Sequence, residues 1–211
     1  MTIETHPQAS LLAAYASGGV PSAPVLAIRC HLMSCAACRA KVALMEEAEG
    51  QLLESLPPTP MSIGALDRVM DRLAAEAPEP AMHPGEMLGD VLLPPAIAEV
   101  GVAPRRWMGP GLWTAHLRLP PQDNWRAFIL RAPAGQKIPQ HRHVGHEFIN
   151  VLQGAFSDGV RYGPGDFVES EPDSRHTQQV TSEDPCACLV VVQGQIEWRG
   201  MGRLITPMLG I

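Results

Sequence analysis

The spacing of apolar positions divides the chain into two textures. From His6 to about Ala77, apolar residues recur at helical intervals. Leu11, Leu12, Ala14 and Tyr15 predict a short helix that Gly18-Gly19 terminates. Pro21 and Pro24 fit only the first turn of a second helix, which carries Val25, Leu26 and Ile28 toward His31. A long third helix follows Cys35, with Val42, Met45, Leu52, Leu53 and Leu56 at helical spacing, and Pro57-Pro58 stops it. Thr59-Pro60 reads as N-cap and first residue of a fourth helix. Its stripe is Ile63, Leu66, Val69, Met70 and Leu73, with Asp67, Arg68, Asp71 and Arg72 facing outward. That stripe either completes the bundle or docks on a partner, and periodicity does not separate the two.

Residues 77 to 95 are dense in proline and glycine and read as a linker. Beyond it, short apolar runs alternate with turn clusters. The runs include Ala127 to Leu130, Phe148 to Leu152 and Cys188 to Val192. The turns include Pro120-Pro121, Ala134-Gly135, Ser157-Asp158-Gly159 and Gly163-Pro164-Gly165-Asp166. Such a rhythm predicts an antiparallel sandwich or barrel. The expected architecture is therefore an α domain followed by a β domain: residues 1–77 helical, 78–96 linker, 97–211 all-β.

Composition and charge narrow the function. Apolar residues make up 45% of the 211, enough to build real cores. The first ten residues carry Glu4 and no basic or long apolar segment, so they do not read as a secretory signal. No stretch approaches the ~18 consecutive apolar residues of a membrane span; a cytoplasmic protein is expected. Net charge is −6, with five basic and nine acidic residues in positions 1–80. This balance argues against direct nucleic-acid binding and suits a basic protein partner.

Five cysteines fall in two local groups, which is no disulfide framework. His31, Cys35 and Cys38 form a His-x3-Cys-x2-Cys cluster with zinc spacing. On a continuous helix the three would share a face; with a turn near Ser34 they would staple a helix junction. His6 is the candidate fourth ligand. A helical unit this small is marginal alone, and a structural metal is a common remedy.

The β half holds a second constellation. Along a strand, His141, His143 and Glu147 point one way and His146 the other. Two imidazoles and a carboxylate suit zinc, iron, manganese or nickel. His176 is the available further ligand; His83 and His116 fall outside the pattern. Gly135-x5-His141-x-His143-x3-Glu147-x6-Gly154 resembles the first cupin motif at every fixed position. The second cupin motif is approximate: Pro172 and His176 are present, one residue is missing from the spacing, and Ser174 stands where glycine is usual. Cys186 and Cys188, alternate residues on a strand, would share a face, either as buried small side chains or as a redox pair. Cys30 reads as a buried small side chain too.

The order of these features resembles the ChrR-type anti-sigma factors, in which a zinc-binding helical domain precedes a cupin-like domain. The resemblance spans essentially the whole chain. It implies that His6, His31, Cys35 and Cys38 bind zinc, and that the domain they staple binds an extracytoplasmic-function (group IV) sigma factor, one to one. It also implies that the fourth helix, through Ile63, Leu66, Met70 and Leu73, packs between sigma domains. The cupin-like domain, with His141, His143, Glu147 and His176 on a second zinc, would sense reactive oxygen such as singlet oxygen and so release sigma. The competing reading is a metal-dependent cupin enzyme, a dioxygenase or isomerase, with a helical appendage.

Overall fold

The computed structural model describes residues 2–75, 85–120 and 124–198. His83, most of the first half of the expected linker, Pro121 and the chain beyond residue 198 lie outside the described residues. Four helices come first: α1 (Ala9–Ala16), α2 (Ser22–Ser34), α3 (Ala36–Ser55) and α4 (Ala65–Ala75). Gly18, left-handed at φ 71°, ends α1, and the Gly19 amide returns to the Ala14 carbonyl at 2.8 Å. Pro21 is the N-cap of α2 and Pro24 lies in its first turn, where its missing N–H leaves no bond unmade. Between α2 and α3 one residue, Cys35, is extended (φ −106°, ψ 100°). The two helices therefore meet at a junction and are not continuous. Arg39 caps that junction by donating to the Leu32 carbonyl at 2.5 Å.

The fourth helix begins later than Thr59-Pro60 predicts. Gly64 is left-handed (φ 74°) and blocks a helix running on from Pro60. The preceding turn is held instead by the Arg68 guanidinium, bonded to the Ile63 carbonyl at 3.0 Å and to Ser62 Oγ at 2.5 Å. The second half of the expected linker is ordered. It forms a hairpin, β1 (Glu86–Leu88) and β2 (Val91–Leu93), then a single turn, α5 (Pro95–Ala98). Val91, Leu93, Ala96 and Ile97 are buried, so these prolines and glycines mark tight turns over a core.

The remaining strands are β3 (Arg106–Gly109), β4 (Leu112–His116), β5 (Trp125–Ala132), β6 (Lys137–His143), β7 (Glu147–Gln153), β8 (Phe156–Asp158), β9 (Val160–Tyr162), β10 (Phe167–Ser170), β11 (Arg175–Val180), β12 (Cys186–Gln193) and β13 (Ile196–Trp198). They form a six-stranded sheet ordered β10-β7-β12-β5-β4-β3 and a five-stranded sheet ordered β13-β6-β11-β8-β9; every pairing is antiparallel.

The larger sheet is covered on both faces, and side-chain parity shows it. Cys186, Cys188, Val190 and Val192 of β12 pack inward with Phe156, Val180 and Ile196 of the smaller sheet. Their neighbours Ala187, Leu189 and Val191 pack outward into one core with Leu12, Leu26, Ala27 and Ile28 of the helices. A strand buried on both faces loses its polar alternation, which is why residues 188–192 read as an unbroken apolar run. The buried Asn150 of β7 ties sheet to helix by donating from Nδ2 to the Ala27 carbonyl at 2.6 Å. Helix α4 takes no part in this core: none of its residues is buried.

Candidate metal centres

At the α2–α3 junction, His6, His31, Cys35 and Cys38 present ligand atoms within 4.8 Å of one another. His31 Nε2 lies 3.3 Å from Cys38 Sγ, and His6 Nδ1 lies 3.4 and 3.5 Å from Cys35 and Cys38 Sγ. With metal bonds of about 2.0 Å to nitrogen and 2.3 Å to sulfur, the N···S edge of a tetrahedron is about 3.5 Å. The four residues fit a tetrahedral ion. Each element contributes for a reason. Cys35 is the extended residue that N-caps α3, and its sulfur accepts the Cys38 amide at 3.4 Å. His31 closes α2; its Nδ1–H donates to the Gly165 carbonyl at 2.9 Å, which turns the Nε2 lone pair toward the cluster. Burial lowers the His31 pKa, so the ring is neutral, as a ligand must be. Burial, with the neighbouring Cys35, pushes the Cys38 thiol up to about 11, so without a cation it stays protonated.

His6 lies ahead of α1 on a segment held by the β half. Asp166 Oδ1 accepts the amides of Glu4 (2.7 Å) and Thr5 (2.9 Å), and the Phe167 amide donates to the Thr5 carbonyl at 3.1 Å. Asp166 Oδ2 accepts the Gly163 amide at 2.7 Å. Burial pushes the Asp166 pKa up, but these donors outweigh it and hold it below the ordinary value. Reading the sequence as elements found Gly163 to Asp166 only as a turn. The signal it missed is an acidic residue closing a Gly-x-Gly turn, with its carboxylate among backbone amides.

The second cluster lies between the two sheets. His141, His143, Glu147 and His176 converge within 4.8 Å and all are buried. Their union has a different cause from strand parity. His141 and His143 share a face of β6, but Glu147 opens β7, across the 144–146 turn and in the opposite sheet. His176 enters from β11, directly opposite His141 in register. In the shortened second motif the left-handed residue is Asp173 (φ 65°), not Ser174. His146 faces away, stacked near Phe148 at 6.3 Å.

Three imidazole nitrogens meet here. His176 Nε2 is 2.8 Å from His141 Nε2 and 2.9 Å from His143 Nε2, while Glu147 Oε2 is 3.2 Å from His143 and 3.5 Å from His176. Outer partners set the tautomers. His141 Nδ1–H donates to the Pro139 carbonyl (2.9 Å) and His176 Nδ1–H to Asp158 (3.0 Å), so both Nε2 lone pairs point inward. Converging lone pairs repel unless a cation or proton lies between them, and ligands on bonds of about 2.1 Å at right angles sit about 3.0 Å apart. The cluster fits an ion. Burial takes His141 down to about 4 and His143 to about 3, helped by the neighbouring imidazoles. Burial also pushes Glu147 up to about 8, with Asp158 adding to the effect. Ser170 Oγ, 3.4 Å from Glu147 Oε2, acts in the other direction. An apolar cavity of about 140 Å³ opens beside His141 and Glu147, walled by Leu112, Phe128, Ile138, Val190 and Trp198.

The remaining candidates divide. Cys186 and Cys188 are buried free thiols on one face of β12, 3.7 Å apart. Cys30 is buried too, and burial pushes its thiol up to about 12. Ile63, Leu66, Met70 and Leu73 belong to neither cluster; all are exposed, Ile63 fully so.

Fold and clusters together define a class: a cupin-like sandwich bearing one candidate metal cluster, capped by helices bearing a second that contains two cysteines. Comparison with known proteins places the chain more finely. Residues 96–197 match the family model described as the ChrR cupin-like domain. The chain is 32% identical over 216 aligned positions to a Cereibacter sphaeroides protein named anti-sigma-E factor ChrR, covering all of both chains. It also superimposes, at a TM-score of 0.75 and 32% identity, on a chain of the crystal structure of Rhodobacter sphaeroides SigE in complex with the anti-sigma ChrR, covering 91% of this chain and 100% of that one. The chain belongs to the ChrR family.

Proposed function

We propose that this protein is an anti-sigma factor that binds one extracytoplasmic-function sigma factor and keeps it from RNA polymerase. The observation that carries the reading is α4. Leu66, Val69, Met70 and Leu73 form an apolar stripe with 52–66% of each side chain exposed, and the preceding Ile63 is fully exposed. Leu52, Leu53 and Leu56, at and just beyond the end of α3, are also exposed. Contiguous exposed apolar area on a folded chain marks a protein interface. That the relative in the matched crystal structure is held in complex with SigE supports the identity of the partner.

The roles divide between the clusters. His6, His31, Cys35 and Cys38 hold zinc as a structural ion: four protein ligands leave no open position, so the metal supplies folding energy. His141, His143, Glu147 and His176 hold a second metal, zinc in this reading, and the cupin-like domain reads an oxidative signal such as singlet oxygen. Functionally the chain divides as residues 1–77, which bind sigma, 78–96, which connect, and 97–211, which sense. The protein acts in the cytoplasm as a binding protein and not as an enzyme; among the described residues no helix is long and apolar enough to cross a membrane.

The test is co-expression with candidate sigma factors, followed by co-purification and in vitro transcription. A stoichiometric complex that silences sigma-dependent initiation is expected; a chain that purifies alone and leaves transcription untouched refutes the reading. Replacing His141, His143 and Glu147 together should preserve inhibition and abolish induction. Loss of inhibition would contradict the division of roles.

A further inference from the structure

Strands β7 and β10 pair side by side at the edge of the larger sheet, and together they touch both clusters. Glu147, a ligand of the second cluster, is opposite Ser170 in the register, and Asn150 is opposite Phe167. The first rung holds the second cluster, through the contact of Ser170 with Glu147. The other rung holds the first. Asn150 grips α2 at Ala27, the Phe167 ring lies edge-on to His31 at 5.7 Å, and the Phe167 amide holds Thr5 next to His6. Only three residues, about 10 Å of strand, separate the rungs. Just before β10, Gly165 orients His31, and Asp166 holds the Glu4-Thr5 backbone. Gly165 has φ 90°, and a Cβ there would approach Ile3 to 2.9 Å, so the turn also admits little change.

We propose that the Gly163–Ser170 segment is an outer shell shared by the two metal sites, with Asp166 as the positioning residue for the thiolate site. Metal at His141, His143, Glu147 and His176 fixes Glu147 and its rung, and β10 passes that constraint to His6 and His31. Occupancy of one site therefore strengthens the other, and by linkage the effect is reciprocal. Emptying the sensing site loosens the zinc that shapes the sigma-binding helices. This inference rests on the reading that both clusters hold metal.

The experiment uses the full chain loaded with Co(II), titrated with a chelator. Thiolate-to-metal charge-transfer absorption reports the first site alone, since only that site has cysteine ligands, and total metal analysis reports both. Wild type should hold two ions, one with the thiolate signature. Asp166→Asn places an amide donor against backbone N–H donors; the thiolate signature should vanish at about 10–100-fold lower chelator while the other ion is retained. Glu147→Gln should lose the second ion and weaken the thiolate site by about 5-fold or more. Phe156→Ala, a comparable insult to the inner core, should leave the thiolate signature where wild type has it. If Asp166→Asn does not fold by circular dichroism, the Glu147→Gln arm decides. Wild-type affinity at the thiolate site in that variant overturns the inference alone; a wild-type chain with no thiolate-bound ion overturns the metal reading with it.

Discussion

Single residues set the acid–base behaviour of the metal-free chain. Glu147 has a folded pKa of about 8, above the ordinary value, so the native state keeps a proton that the unfolded chain loses from about pH 4.3. Stability from this group falls as pH rises toward 8. His141 and His143, at about 4 and 3, act in the opposite sense. Below about pH 6.5 the unfolded chain takes up protons that the folded one refuses, and stability falls with acid. Between those limits the buried imidazoles, with His31 and His176 also lowered by burial, oppose one carboxylate, so metal-free protein should be most stable between about pH 6.5 and 7. A bound metal should flatten the alkaline limb by keeping Glu147 ionised as a ligand. Melting temperatures across pH 4–9, with and without zinc, check this; metal-free stability that climbs from pH 6.5 to 8 would be inconsistent with it. Asp166, held low by its amide donors, stabilises above its unfolded pKa, and that contribution is lost as pH falls through the folded one. The eight residues that converge in the two clusters were legible at this scale, because metal-binding chemistry fixes residue type and spacing. Their outer partners were not: Asn150 and Asp158 act through long-range contacts, which leave no local pattern, and Gly165 and Asp166 carry only the weak signal of an acidic residue closing a Gly-x-Gly turn.

Most elements build the core, and α4 does not. Ile28 of α2 is fully buried, and Ile28→Ala should cost about 2–5 kcal/mol in denaturant unfolding. Val69 of α4 is about half exposed, and Val69→Ala should stay within about 0.5 kcal/mol. Equal losses would mean that α4 is packed in solution. The four helices of the first 75 residues were readable from their recurring apolar positions and from the glycines and prolines that bound them. The start of α4 was misplaced because Thr59-Pro60 is a valid capping signal that Gly64, left-handed four residues later, overrides. The β1–β2 hairpin was hidden in a stretch whose prolines and glycines serve tight turns. Glu147 was placed on the correct side for an incomplete reason: parity holds within a strand, whereas the turn at 144–146 carries it into the opposite sheet.

At the scale of the whole molecule, helices and sandwich share one core. Leu12, Ile28, Val91, Ile129 and Leu189 are fully buried in the same cluster, although they come from α1, α2, β2, β5 and β12. The metal-loaded chain should therefore lose its helical and β signals in one transition. Two separate transitions by circular dichroism and tryptophan fluorescence would mean that the halves unfold independently. Among the described residues α4 stays outside this core with its apolar stripe exposed, and the proposed function needs a partner to cover it. The most direct measurement is titration of a cognate sigma factor with wild type and with Leu66→Asp/Met70→Asp. Each buried apolar side chain contributes about 1.5–3 kcal/mol, so the double variant should bind at least about 100-fold more weakly while melting like wild type. Undiminished affinity in a folded double variant would contradict the account.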